Sequence, residues 1–300
     1  MNKIKRFLSK PYRWTIVFSI LLILFFAYAM LDTFVIPKAI TAANTDTSDS
    51  QNQPSQPSAP VLTETSYSDD NIKITIETIK EYNTVIYIAD IQLKDASYLK
   101  TAFAKNSYGR NIKDITSKMA SSHSAILAVN GDYYGFRDHG YVLRNGKLYR
   151  TSSRGSGYDA LIIDTSGNFL IEADSEISKS LLNSGTLSQI ISFGPGLIEN
   201  GKITANKMTK SAAFTTTNPR TAIGQISPLH YIFAVCDGRT KTSTGLTLKE
   251  LAQILYDKGC VWAYNLDGGG SATMYFNGKV VNHPSDGAER SISDIVYIGY

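Results

Sequence analysis

Between Trp14 and Leu31 the chain runs without a charge and is rich in Ile, Leu and Phe. At about 1.5 Å per residue such a run, if helical, nearly spans the roughly 30 Å hydrocarbon core of a bilayer. Only a helix satisfies its backbone in that setting, so this stretch fixes both its own structure and the place of everything after it. Basic residues precede it and Asp32 follows, and the positive-inside rule then leaves the N-terminus in the cytoplasm and sends the remainder outward. Ala27-Tyr28-Ala29 also resembles a small-x-small cleavage site, the alternative of a removed signal peptide. The length of the run and its resumption at Phe34-Val35-Ile36 favour a retained signal-anchor over residues 14–36, behind a basic tail at 1–13.

The anchor accounts for the charge balance. The formal net charge of +4 rests on 30 Lys and Arg against 26 Asp and Glu. Six of the cations (Lys3, Lys5, Arg6, Lys10, Arg13, Lys38) lie before residue 39, with Asp32 alone among the acids. The remainder therefore carries 24 positive against 25 negative charges, a net of −1. No basic stripe is left for a nucleic-acid backbone, which argues against that class of partner. Residues 37–66, crowded from 41 onward with Thr, Ser, Asn, Gln, Asp, Ala and Pro, read as a flexible stalk, and 67–300 as the folded domain.

Within that domain the patterning predicts an α+β fold: a mixed sheet with several antiparallel hairpins and a C-terminal β-α-β unit, preceded by the single transmembrane helix. IKITIETI (72–79) alternates and VIYIADIQL (85–93) is β-branched and aromatic, so both read as strands. Ile112, Ile115 and Met119 have helical spacing ahead of an apolar strand at 125–129. Asn-Gly-Lys recurs between apolar runs at Asn145-Gly146, Asn200-Gly201 and Asn277-Gly278, each a type I′ turn signal. A fourth hairpin turns at Ser166-Gly167-Asn168. Toward the C-terminus, strand 231–235, helix 247–258 and strand 261–266 form the β-α-β unit. Thr247 and Glu250 make its capping box, Leu248, Leu251, Ile254 and Leu255 its apolar face, and Gly259 its stop. If the two strands are neighbours they run parallel, which sets Cys236 and Cys260 roughly 16 Å apart. A disulfide needs Cα atoms within about 7 Å, so both thiols are expected free and core-facing.

Ligands in such architectures gather where strands end in glycine clusters. Two such ends are Asp237-Gly238-Arg239 and Asn265-Leu266-Asp267-Gly268-Gly269-Gly270-Ser271. Consecutive N–H groups in a glycine turn form an anion-binding concavity, Ser271 adds a hydroxyl, and Asp267 brings a carboxylate to the rim. An anion cradle beside an acid/base group is the implied chemistry. Asn130-Gly131-Asp132-Tyr133-Tyr134 comes after another apolar strand, Asn218-Pro219-Arg220-Thr221 opens a further one, and His283 and the DGAER segment (286–290) come later. Taken singly, each of these also fits a plain turn or a solvated charge. Four scattered histidines and two apolar-flanked cysteines do not make a zinc site, so no metal is assigned. Calcium held by Asp and backbone oxygens needs no fixed spacing and is compatible with the sequence.

Together NGDYY (130–134), NPRTAIG (218–224), DGR (237–239) and above all NLDGGGSATM (265–274) resemble the phosphodiester glycosidase family, in its bacterial secreted or anchored branch, over roughly residues 100–300. Gly287-Ala288-Glu289-Arg290-Ser291 matches a further family segment, one residue looser. The resemblance implies hydrolysis of the bond between an anomeric carbon and a phosphate oxygen, with no cofactor required. On it, Asp267, then Asp237, then Asp132 are the candidate catalytic carboxylates. Arg220, Arg239 and the Gly268–Ser271 backbone (Gly268, Gly269, Gly270, Ser271) would hold the phosphate, Asn130 and Asn265 would orient the sugar, and Glu289 and Arg290 would complete the substrate site. The expected substrate is a glycosyl phosphodiester or anionic glycan outside the cell membrane, for instance of a cell-surface polysaccharide or exopolysaccharide. A non-catalytic module that binds anionic glycans, or an accessory protein of exopolysaccharide assembly, is the competing expectation.

Overall fold

The computed structural model describes residues 11–39, 59–204 and 215–300. The first ten residues of the basic tail and residues 40–58 of the expected stalk lie outside it. Pro11–Phe34 is a single helix, of which Tyr12–Phe34 has mean hydropathy 2.4 and no buried share, long and apolar enough to cross a membrane.

Three sheets of five or more strands make up the domain among the described residues, with a two-stranded ribbon of Lys38–Ala39 and Gly109–Arg110 beside them, and every pairing is antiparallel. The largest has nine strands, in the order Lys202–Ile203, Gly196–Glu199, Trp262–Asn265, Arg220–Ser227, His230–Cys236, Thr84–Leu93, Ile72–Glu81, Ser66–Ser68 and Val61–Leu62. Its last two strands extend the sheet into the segment read as stalk. A five-stranded sheet is ordered Lys147–Arg150, Val142–Arg144, Leu187–Ile191, Asp159–Asp164, Phe169–Ala173. Another runs Lys279–Val280, Met274–Phe276, Leu127–Asn130, Asp294–Ile298, Leu99–Phe103.

The four expected hairpins are all present. Asn145, Asn200 and Asn277 each adopt positive φ (49°, 48° and 43°) with the next glycine also positive, the backbone that an Asn-Gly type I′ turn supplies. The expected helix at 112–119 begins later, at Thr116, and runs to Ser122. Asp114 instead bridges to Ile292, which holds residues just before the helix extended.

The α+β class and the strand–helix–strand unit stand, with one difference of topology. His230–Cys236 and Trp262–Asn265 run in the same direction but are not neighbours. Arg220–Ser227 lies between them and pairs antiparallel with both, Ala222 facing Ala234 on one side and Asn265 on the other. Cys236 and Cys260 are free and buried, as expected, with an intervening strand adding to their offset. The connecting helix Leu248–Asp257 carries the complete Thr247/Glu250 capping box and buries Leu248, Leu251, Ile254 and Leu255.

Strand alternation explains how the layers hold. From Thr84–Leu93, Ile86 and Ile88 face the connecting helix with Leu251 and Leu255, while Tyr87, Ala89 and Ile91 face the opposite way. On that opposite face the three sheets share one core, where Phe233 and Tyr264 meet Leu161 and Phe169 from one five-stranded sheet and Val129 and Met274 from the other. Both faces of the central strands are buried, which is why their sequences are apolar at almost every position.

Candidate active site

The strands Trp262–Asn265 and Leu127–Asn130 end side by side, and their ends are stitched by Asn130. Its Oδ1 accepts from the Thr221 hydroxyl (2.7 Å) and the Thr273 N–H (3.2 Å), and its Nδ2 donates to the Asp267 carbonyl (2.6 Å). Asn265 likewise donates from Nδ2 to the Gly194 carbonyl at 2.8 Å. Both asparagines, read as sugar-orienting, thus spend these groups on scaffold. They aim the next stretch of chain, Asp267 and the glycine turn.

Asp267 lines a cleft of about 430 Å³ together with Asp132, Ser271, Lys113, Arg290, Tyr133, Phe136 and residues 291–293. Burial pushes the Asp267 carboxyl above the usual carboxylate range, against the Ser271 hydroxyl and the Gly268 N–H, which favour its ionised form. The Gly268 N–H donates to its Oδ1 at 2.9 Å. The glycines are required by space and angle. Gly269 has φ +60°, and a Cβ at Gly270 would stand 2.1 Å from Asp286 Oδ2.

The cradle is less open than the sequence suggests. The Gly269 N–H donates to the Pro219 carbonyl (2.8 Å) and that of Ser271 to the Gly268 carbonyl (3.2 Å), so with Gly268 three of its four N–H groups are already engaged. Positive charge at the cleft comes from side chains instead. Lys113 and Arg290 line it. Arg290 also holds Asp286 at 2.7 Å, and Arg239 approaches the same carboxylate at 3.8 Å while lying against Gly269. Asp286 therefore ties two arginines over the glycine turn.

Asp132 is buried beneath the cleft and fully engaged. Its Oδ1 accepts from the Tyr134 N–H (2.6 Å), and its Oδ2 from Arg144 (2.9 Å) and the Ser192 N–H (3.1 Å). Arg144, equally buried, also holds Asp294 at 2.8 Å, so two carboxylates share one guanidinium. Burial, with the neighbouring Asp132 charge, pushes Asp294 up to about 7, while Arg144 and Arg137 outweigh burial and keep Asp132 below the usual range. This triad sets the position of the Tyr133–Phe136 wall, where the two rings stack 4.6 Å apart. The sequence singles out neither Arg144 nor Asp294. Tyr133 carries a signal, inside NGDYY; Lys113 and Phe136 carry none.

Three further expected residues do not line the cleft. Asp237 is buried under the 282–283 segment, accepting the His283 N–H (2.8 Å) and facing Tyr87 (3.3 Å), and it does not line the cleft. Arg220 is buried with its guanidinium on the carbonyls of Leu246 (3.0 Å) and Thr216 (2.9 Å), so it is committed to backbone rather than presented to a phosphate. Glu289 accepts the Ser117 N–H at 2.8 Å and the Ser117 hydroxyl, and so pins the 286–291 segment to the start of helix Thr116–Ser122. No group of three or more His, Cys, Asp and Glu placed to hold a metal ion occurs among the described residues.

Residues 123–299, which include both strand ends, the cleft wall and the glycine turn, match the family model described as phosphodiester glycosidase. The chain belongs to the phosphodiester glycosidase family. Among its relatives, the SPbeta prophage-derived uncharacterized protein YomE of Bacillus subtilis (strain 168) is 29% identical over 199 residues, 64% of this chain and 31% of that protein. The mouse N-acetylglucosamine-1-phosphodiester alpha-N-acetylglucosaminidase is 36% identical over 110 residues, 33% of this chain and 21% of the relative. The chain thus spans a third or less of the length of these two relatives. The fold matches the zebrafish N-acetylglucosamine-1-phosphodiester alpha-N-acetylglucosaminidase catalytic domain, in a structure auto-inhibited by its pro-peptide, with TM-score 0.62, 21% identity and 88% of each chain covered. A hypothetical protein from Synechocystis matches with TM-score 0.55 and 14% identity over 76% of this chain and 62% of that one. The likeness to these two solved chains is one of fold.

Proposed function

We propose that this phosphodiester glycosidase is an outward-facing, membrane-anchored hydrolase that cleaves the glycosyl–phosphate bond of sugar-1-phosphodiesters in cell-surface glycans. The observation that carries the reading is Asp267, a carboxylate with a raised pKa at the floor of a cleft whose rim bears Lys113 and Arg290. Asp267 takes a proton from water as the water oxygen bonds to the anomeric carbon. The bond from that carbon to the phosphate oxygen breaks, and its electron pair leaves with the phosphate monoester. Lys113 and Arg290 hold the growing negative charge, which lessens the need for a strong acid on a leaving group that is already good. The stacked Tyr133 and Phe136 offer the sugar a flat apolar wall. Sequence membership in the family and the name of the mouse relative support the same chemistry.

Asp267→Asn keeps the size of the side chain and removes the base. Release of free sugar from an N-acetylglucosamine-1-phosphodiester is expected to fall by roughly 10²–10⁴-fold, the usual contribution of a positioned base, with the circular dichroism spectrum unchanged. Undiminished turnover in the variant would remove Asp267 from the chemistry. Saturable binding by the wild type with no turnover would assign the cleft to a binding module.

A further inference from the structure

The helix Pro11–Phe34 does not end in a free linker. Its exit is built into the domain beside the cleft. Asn111, 7% exposed and with φ +57°, donates from Nδ2 to the Thr33 carbonyl (2.8 Å) and the Ile36 carbonyl (3.3 Å). It thereby satisfies carbonyls that a helix end leaves unpaired. Lys38–Ala39 then pairs antiparallel with Gly109–Arg110, and a Cβ on Gly109 would lie 1.9 Å from the Lys38 carbonyl oxygen, so the approach is open only to glycine.

The docked segment is also part of the cleft's frame. The Asn111 N–H donates to the Gly135 carbonyl (3.3 Å), Arg110 pairs with Asp138 (2.9 Å), and these brace the 133–138 wall from outside. Lys113, two residues beyond Asn111, lines the cleft itself. Two residues span at most about 7 Å, and the Asn111 side chain with its hydrogen bond adds about as much again. The backbone at Lys113 therefore lies within about 15 Å of the last turn of the helix. Tyr12–Phe34, at about 1.5 Å per residue, is just long enough for a hydrocarbon core of roughly 30 Å, which puts that last turn at the headgroup boundary. A stalk would let the cleft range over tens of ångströms; this junction does not.

We propose that the cleft acts on glycosyl phosphates whose phosphate is esterified to a membrane lipid. This rests on the glycosidase reading above and on the helix being retained. Water adds to the anomeric carbon, the carbon–oxygen bond to phosphorus breaks, the lipid monophosphate stays in the bilayer and the sugar leaves into solution. The phosphate of such a substrate lies in the headgroup layer, within reach of a cleft whose Lys113 backbone is held no more than about 15 Å from the helix end.

The test uses the full chain in phosphatidylcholine vesicles, compared with a variant carrying a 20-residue Gly/Ser insertion after Ile36. The insertion leaves Lys38–Ala39 on the domain, Asn111→Gly in the same variant removes the bonds to Thr33 and Ile36, and the domain is then free to stand off from the helix by roughly 25 Å. A fluorophore on His139→Cys, beside the cleft wall and selective because both native cysteines are buried, is read with headgroup spin-labelled lipid. Strong quenching in the parent chain and at least a several-fold loss of it in the insertion variant are expected; equal quenching in the two overturns the docked junction. Two probes then give the activity readout, octadecyl and methyl phosphodiesters of N-acetylglucosamine 1-phosphate. The octadecyl-to-methyl rate ratio is expected to fall at least tenfold on insertion with methyl turnover unchanged. An unchanged ratio, with the methyl ester cleaved, overturns the lipid substrate alone. Cleavage of neither ester by the parent chain overturns the glycosidase reading and this proposal with it.

Discussion

Replacing Asp294 by asparagine isolates the electrostatics beneath the cleft. In the native chain Arg144 sits between Asp132 and Asp294 with all three side chains buried, so one positive charge faces two carboxylates. Arg144 gives Asp294 two N–H bonds and Asp132 one, but Asp132 also takes two backbone N–H donors, and burial beside that charge leaves Asp294 with a pKa of about 7. An unfolded Asp titrates near 4. Between about pH 4 and pH 7 the folded chain therefore keeps a proton that the unfolded chain has lost, and stability falls as pH rises through that window. At 1.36 kcal/mol per unit the loss is on the order of 4 kcal/mol by neutral pH. The amide introduced by Asp294→Asn cannot ionise, so the variant lacks this loss, and one positive charge then faces one negative charge at every pH above the Asp132 range. Urea unfolding midpoints of both proteins, measured from pH 5 to pH 8, give the difference directly, because carboxylates common to both cancel. The variant is expected to gain on the wild type as pH rises from 5 to about 7 and to hold that gain above it. Parallel profiles over that range would refute the shared-guanidinium account.

The site and the core each set a further outcome. Lys113→Ala, which removes a rim cation without touching the buried frame, is expected to lower kcat by about 10²-fold if the charge acts on the departing phosphate, measured with a methyl phosphodiester; a change in KM alone would make it a binding contact. Burial pushes the thiols of Cys236 and Cys260 up to about 12, so at pH 8 neither is expected to react with a thiol reagent in the folded protein, and both are expected to react promptly in denaturant.

The features legible in the sequence are those written locally. Asn145, Asn200 and Asn277 announce their turns because a dipeptide alone supplies the left-handed backbone, and the Thr247/Glu250 box marks a helix start within four residues. The run from Asn265 to Ser271 is likewise identifiable because three glycines after a strand serve few purposes, and Asp267 and Ser271 do line one cleft. The roles of Asp237 and Arg220 are less legible, since where a side chain at a strand end points depends on register and on what lies over it. Arg220 pairs across from Cys236 and turns to the carbonyls of Leu246 and Thr216, a fact of packing that NPRT does not contain. Arg144 and Asp294 are 150 positions apart, and only the meeting of two sheets makes them partners. The same holds for Arg220–Ser227 as the strand between His230–Cys236 and Trp262–Asn265: the intervening partner precedes the strand–helix–strand unit, so the unit by itself suggests neighbours.

The place of Asp294–Ile298 in its sheet has a consequence for when the cleft comes into being. This strand lies between Leu99–Phe103 and Leu127–Asn130, and the latter ends in the Asn130 that aims Asp267. A chain threaded outward from its N-terminus would present residues 72–130 long before residues 294–298, so the sheet that frames the glycine turn stays open until late in export. Contacts of such long sequence separation are slow to close. On the outward-facing reading proposed above, the cleft would mature only after residues 294–298 have crossed the bilayer, so the domain would have no assembled centre before it reaches the side where its proposed substrates lie.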